Sequence, residues 1–416
     1  MVQKRSSKQH IELTETFGAH NYAPLEVVLS RGEGAWVWDV EGKRYLDMLS
    51  AYSALNFGHC HPRIQKTAHA QLDLLTLTSR AFYNDTLGVM CEKLATLCGM
   101  EQVLLMNSGA EAVETAIKMA RRWGYREKGI PRDKAEIICF SNNFHGRTTT
   151  IVGMSTSESS RADFGPFTPG FVVVPFNDKA ALDAAITRNT CAVLIEPIQG
   201  EAGIIIPDSG FLSHVRAVCT GHNALMIADE IQTGLCRTGK IFACNHEAVI
   251  PDAYLLGKSL GGGITPISAV VSSRSVMQVF TPGSHGSTFG GNPLACAVAE
   301  TVLDLIIEER PHERAAKLGA WFVEELRGLN SPYISAVRGR GLLIGVDILP
   351  EYGKAKDFCH ALLDVGLLCK DTREQTIRFA PPLIISEEDL RWALERIALV
   401  FARKDKVSRA GQPCNI

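Results

Sequence analysis

Five short stretches carry side chains whose types and spacing could do chemistry. ALMIADEIQTG, residues 224–234, ends an apolar run in Asp229, Glu230 and Gln232. Carboxylates are seldom buried alone, so two acids at the tip of a core-like run face either solvent or something positive. LLGKSLGGG, residues 255–263, sets Lys258 between a second apolar run and three glycines. A lysine at a strand end ordinarily reaches solvent. A catalytic amine needs partial burial, a lowered pKa and close backbone approach, for which glycines leave room. FHGRT, residues 144–148, offers Phe144 and Arg147, whose guanidinium fork suits a carboxylate. NSGAEAVETA, residues 107–116, follows another apolar run and opens a helical pattern. Ser108 there is an ordinary N-cap type, but free amides beside Ser108 and Gly109 also make a phosphate site. GSTFGGNP, residues 286–293, adds Ser287 and Thr288 in a glycine-rich loop suited to phosphate oxygens.

Taken together, a phosphate cradle, an amine, an aromatic, an arginine and a strand-end aspartate are the parts of a pyridoxal 5'-phosphate site. Lys258 would bond the cofactor aldehyde. Asp229 would face the pyridine nitrogen and keep it protonated, so that the ring can take up the electrons of a carbanion. Glu230, on the other face of the strand, is expected in a structural contact.

The elements that must position these groups are legible as alternation. Short apolar runs at 103–106, 137–140, 171–174, 192–195, 224–228, 254–256 and 267–271 are separated by helix-period segments such as 110–125 and 210–222. Seven such runs predict a mostly parallel α/β sheet covered on both faces. Within the first helical segment, Glu114 and Lys118 are spaced for an i,i+4 pair. Residues 35–49 alternate around Glu41-Gly42 and predict a hairpin. From Asn292 the pattern changes to a long helix, strands within 334–348 and 376–379, and a final helix near 387–402. The expected division is an N-terminal segment 1–56, a large cofactor-binding domain 57–290 and a small C-terminal α/β domain 291–416.

Composition narrows the function classes. The 416 residues are 46% hydrophobic and 21% charged, with a net charge of −2, which gives no electrostatic case for nucleic acid or an anionic membrane. No apolar stretch approaches the roughly 20 residues of a membrane span. MVQKRSSKQH lacks the apolar segment of a secretory signal. The 12 cysteines are scattered without a C-x-x-C pair, as expected of reduced thiols in a cytoplasmic protein. His59-Cys60-His61 is read as no metal site, since adjacent residues rarely ligate one ion well. The polar tail 404–416 is expected to be disordered.

Longer motifs carry a resemblance over nearly the whole chain: FGAHNYAPLEVV, SAYSALNFGHCHP, LTSRAFYND, EPIQGEAG, HGSTFGGNP, VRGRGLL and IRFAPPL, with those above. The chain resembles the class III (ornithine/acetylornithine/GABA type) aminotransferases of the pyridoxal phosphate fold type I group, and among them the ornithine δ-aminotransferases. The resemblance implies a Schiff-base lysine at Lys258 and a pyridine-nitrogen partner at Asp229. It implies that Gln232 contacts the ring hydroxyl, Phe144 stacks on one ring face and Ile231 packs on the other. Phosphate would be bound by Ser108, Gly109 and Ala110 and, across a homodimer interface, by Ser287 and Thr288. For substrate it implies Tyr22, Tyr52, Arg147 for the distal carboxylate, and Glu201 paired with Arg378 while ornithine is bound. The implied reaction is δ-transamination of ornithine to 2-oxoglutarate, with acetylornithine, GABA and lysine as alternative donors. Cys236 stands where many relatives have Gly or Ala, and His145 where animal ornithine enzymes often carry Trp.

Overall fold

In the computed structural model, which describes residues 5–402, all seven apolar runs join one sheet. Its spatial order is Gln102–Met106, Ser268–Ser272, Ala253–Leu256, Leu225–Asp229, Thr190–Ile195, Glu136–Phe140 and Phe171–Val174. Only Ser268–Ser272 runs against its neighbours. The strands Thr190–Ile195, Leu225–Asp229 and Ala253–Leu256 are buried at every residue, the pattern of a sheet covered on both faces. The carboxyl ends of such strands are where an open α/β sheet presents ligands. Asp229 is the last residue of the central one.

The helix Gly109–Arg126 packs Ala112, Val113, Ala116, Ile117 and Ala120 against this sheet. Ser108 caps it, in a capping box with Glu111. The Glu114–Lys118 pair expected on it does not form. Glu114 accepts from Thr148 Oγ1, and Lys118 Nζ turns to His285 Nδ1, 2.9 Å away. Tertiary partners on both sides outcompete a pair that is worth only about 0.2–0.5 kcal/mol.

The hairpin Trp36–Asp39/Arg44–Asp47 belongs to a second sheet, with Leu29–Glu33 on one side and Leu367–Leu368 on the other. A third, antiparallel sheet has the order Ile334–Arg340, Leu343–Ile348, Thr376–Phe379, Lys370–Thr372. The single long helix expected after Asn292 is two, Pro293–Glu309 and Pro311–Gly328. Arg310 between them has φ 49°, and Pro311 has no amide hydrogen with which to continue the first helix. The helix Ala355–Asp364 and the short strands Leu367–Leu368 and Lys370–Thr372 had no counterpart in the sequence reading. The tail 404–416 lies outside the described residues.

Candidate active site

Three strand ends converge beside the central carboxylate. Asp229 is buried, and its Oδ1 accepts the Ile231 amide at 3.1 Å. Its Oδ2 lies 2.6 Å from Nδ1 of His145, which is also buried. Burial alone would depress the His145 imidazole, but the bond to Asp229 and its charge prevail and raise it. The other ring nitrogen, Nε2, is buried and has no hydrogen-bond partner among the described residues. Glu196 follows the strand Thr190–Ile195 and receives the amides of Phe144 at 2.9 Å and Gly200 at 3.4 Å. Burial, aided by the charge of Asp229 and opposed by His145, pushes its carboxyl up to about 7.

Lys258 follows the strand Ala253–Leu256 with φ 45°, a left-handed conformation costly for a side chain that cannot relax. Among the described residues its ammonium has no hydrogen bond or ion pair. Burial holds the amine below the usual lysine range, against the opposing pull of Glu201 and Asp229. An amine that gives up its proton more readily is suited to attack on an aldehyde or to proton transfer at carbon.

These groups line one cavity of about 220 Å³ with Gly109, Ala110, Phe144, Ile231, Gln232 and Glu201. Ser108 lines a second cavity of about 400 Å³ that shares Gly109 and Lys258 with the first. Gly109 is tightly placed, since a Cβ there would come within 3.2 Å of Ile231. Gly200 is tighter still, because a Cβ would collide with the Gln232 amide oxygen at 1.5 Å. Gln232 in turn reaches Tyr52 O and Glu201 Oε1 only at the 3.5 Å limit.

Glu201, which lines the same cavity, meets Arg378. Arg378 lies on the strand Thr376–Phe379, is fully buried, and donates through Nη1 to Glu201 Oε1 in a short ion pair. Burial would raise the Glu201 carboxyl, yet Arg378 holds it below the usual range. The ring of Tyr52 packs on the same guanidinium, 4.8 Å from its centre.

Other expected residues stand outside the cavity of this chain. Arg147 is exposed, its guanidinium 5.6 Å from the Phe144 ring. Tyr22 is 75% exposed, although the neighbouring Ala23 carbonyl accepts Lys370 Nζ at 3.1 Å. Ser287 Oγ accepts from Asn107 Nδ2 at 2.9 Å and from the Gly290 amide at 3.0 Å. Thr288 beside it is exposed. Glu230 makes structural contacts, taking the amides of Ala243 and Cys244 at 3.0 and 2.9 Å. Cys236 is buried, which pushes its thiol up to about 12. His59 bonds Asp47 at 2.8 Å, and among the described residues no cluster is placed to hold a metal.

Sequence reasoning missed the two residues that frame Asp229. His145 stands out in the sequence only for its type, and Glu196 only as the first residue of EPIQGEAG. A buried acid directly after an apolar run, as in LIEPIQG, was the available signal for Glu196.

The donor set fits pyridoxal phosphate in this chain. The amides opening the helix Gly109–Arg126 suit a phosphate, and buried Asp229 suits a protonated ring nitrogen. Lys258 suits the aldehyde, and Phe144 and Ile231 give the cavity apolar walls. The family model for class III aminotransferases matches residues 17–401. The ornithine aminotransferase of Geobacillus sp. is 58% identical, over 94% of this chain and 98% of its own. That of Brevibacillus brevis is 56% identical over 94% and 97%. Among solved structures, the ornithine aminotransferase of Toxoplasma gondii superposes with a TM-score of 0.95 at 45% identity, covering 96% of both chains. The acetylornithine aminotransferase of Elizabethkingia anophelis superposes at 0.87 with 48% identity, covering 96% and 99%. With its sheet, its cavity and these relatives in agreement, the chain belongs to the class III aminotransferases, pyridoxal phosphate-dependent transaminases of the fold type I architecture.

Proposed function

We propose that this transaminase moves the δ-amino group of L-ornithine to 2-oxoglutarate, yielding glutamate and glutamate 5-semialdehyde, which cyclises to pyrroline-5-carboxylate. The observation that carries this reading is the Glu201–Arg378 pair in the neighbourhood of Lys258. A free arginine there would draw an α-carboxylate towards the reacting carbon and favour α-transamination. Glu201 silences it for ornithine, whose single carboxylate is held farther out by Tyr22 and Arg147. 2-Oxoglutarate has two carboxylates, so Glu201 releases Arg378 for that half of the cycle.

When bound, the cofactor supplies a ring that accepts negative charge from the substrate carbon. Asp229, backed by His145, would keep the ring nitrogen protonated, Gln232 would meet the ring hydroxyl, and Phe144 and Ile231 would wall the ring. Lys258 Nζ would hold the aldehyde and would accept the proton that leaves the δ-carbon. Ser108, Gly109 and Ala110 bind phosphate, and Ser287 and Thr288 of a second copy complete that site in a homodimer. The exposed Thr288 supports this reading. The working units are 1–56, 57–290 and 291–416, in a cytoplasmic enzyme that links arginine breakdown to proline formation.

An amine-donor panel with 2-oxoglutarate tests the substrate. Ornithine should exceed acetylornithine, GABA and lysine in kcat/KM by at least tenfold; a preference for acetylornithine would replace the assignment.

A further inference from the structure

Arg237 is fully buried, yet no carboxylate among the described residues pairs with it. Its guanidinium donates only to neutral oxygens. Nη1 reaches the carbonyls of Leu342 at 3.0 Å and Pro381 at 2.5 Å, while Nη2 reaches Ser50 Oγ at 3.2 Å and Asn56 Oδ1 at 2.5 Å. Nε has no partner among the described residues. Burying an unpaired cation is an expensive way to tie loops together, and burial accordingly lowers this guanidinium to about 9.

What it ties down is an unusual backbone. Ser50, Ala51, Tyr52 and Ser53 have φ of 45°, 48°, 59° and 73°, and Ala54 N bonds Ser50 O at 2.9 Å. This is one turn of left-handed helix made without a glycine, which L-residues adopt only when surroundings compel them. Asp47 Oδ1 takes the amides of Leu49 and Ser50 at 2.9 and 2.8 Å, and Ser50 Oγ donates to Ala380 O at 2.6 Å. The turn aims the ring of Tyr52 onto the buried Arg378 guanidinium and its carbonyl towards Gln232.

We propose that Arg237 is a positioning residue for the substrate-carboxylate site: by clamping the left-handed turn Ser50–Ser53 it holds Tyr52 against Arg378, and so presets Arg378 for the second carboxylate of a dicarboxylic substrate. The inference rests on the reading of Arg378 as a carboxylate site. It predicts a change in discrimination between one and two carboxylates, not a uniform loss of activity. The fork matters as well as the charge, because a Lys ammonium has three donors and cannot satisfy the four oxygens that Arg237 reaches.

The test uses holoenzyme and two unreactive five-carbon acids, glutarate with two carboxylates and pentanoate with one. Their affinities are read from the absorbance of the lysine-bound cofactor in wild type, Arg237→Lys, Tyr52→Leu and the double variant. Wild type should prefer glutarate. Arg237→Lys and Tyr52→Leu should each weaken glutarate roughly tenfold, the size of a desolvated cation–π contact, and pentanoate less than about twofold. The double variant should be no worse than either single one. If Arg237→Lys does not fold, Ser50→Ala carries the same expectation at reduced size. A shift in Tyr52→Leu alone, or additive effects in the double variant, would overturn the inference while leaving the carboxylate site intact. Equal wild-type affinity for both acids would overturn that site, and the inference with it.

Discussion

Removing the carboxylate of Glu201 should invert the balance between the two half-reactions. Arg378 is fully buried, its Nε is unpartnered, and Glu201 is its only ion-pair partner among the described residues. On the proposed function, a substrate α-carboxylate must first displace Glu201 from this guanidinium. A hydrogen bond between charged groups contributes about 1.5–3 kcal/mol net. In Glu201→Gln most of that cost is lost from the glutamate half-reaction, because an amide oxygen holds the guanidinium more weakly than a carboxylate, while dicationic ornithine meets a positive charge no longer neutralised. At about 1.4 kcal/mol per factor of ten, the ratio of glutamate to ornithine rates should rise roughly 10- to 150-fold. Single-turnover stopped-flow traces with each amino acid, followed at the cofactor band, measure the ratio directly. Gln keeps the shape of Glu and its place beside Gln232, so loss of packing is not at issue. Stability is the second readout, since leaving a buried charge unpaired costs about 3–5 kcal/mol and should lower Tm. A variant that melts lower but keeps the wild-type rate ratio would reduce Glu201 to a structural ion-pair partner, and the masking argument would fail.

Three further outcomes follow from the same geometry. Lys258→Ala should retain cofactor noncovalently, lose the absorbance of the lysine-bound form and fail to turn over; multiple turnovers would assign the proton shuttle elsewhere. Mixing Lys258→Ala with Thr288→Ala subunits should restore part of the activity if Thr288 completes its neighbour's phosphate site, and an inactive mixture would place Thr288 in its own. Glu196 has a raised carboxyl, about 7 against an ordinary 4.5, so its contribution to stability is full below about 4.5 and is lost as pH rises through 7. In the cofactor-free protein, Glu196→Gln should flatten that interval by about 3 kcal/mol, read by urea unfolding at several pH values; an unchanged slope would show that Glu196 is ionised throughout.

The large sheet was legible because each strand is buried on both faces and so reads as an uninterrupted apolar run, bounded by glycine or charge. The residues proposed to hold the cofactor stood out as candidates because most of them sit just after those runs. The partner of Asp229 was not legible: His145 meets it across 84 positions and nothing local marks that pairing, whereas the Glu201–Arg378 pair, 177 positions apart, was expected from the family resemblance alone. The left-handed turn was invisible for a different reason: SAYS contains no glycine, so its conformation is imposed by Asp47 and Arg237 and not by its own propensity. The missed helix Ala355–Asp364 and its adjoining short strands fall in a stretch where two-residue and three-residue strands leave no periodic trace.

The strand Leu367–Leu368 has a consequence for the order in which this molecule is made. It pairs in parallel with Arg44–Asp47, Leu367 opposite Leu46 and Leu368 opposite Asp47. Met48 N bonds Leu368 O at 2.8 Å, and Ala380 N bonds Met48 O at 2.7 Å. On the ribosome, the hairpin emerges more than 300 residues before the strand that completes its sheet. Closing so long a loop is slow. The hairpin therefore waits with an open edge, which is the kind of surface that recruits wrong partners during synthesis. The large sheet can assemble meanwhile, because its strands span only 102–272. If the Tyr52–Arg378 corner serves the substrate as proposed, catalytic competence comes last: a nascent chain halted before residue 367 holds all seven strands of the large sheet and still lacks Arg378.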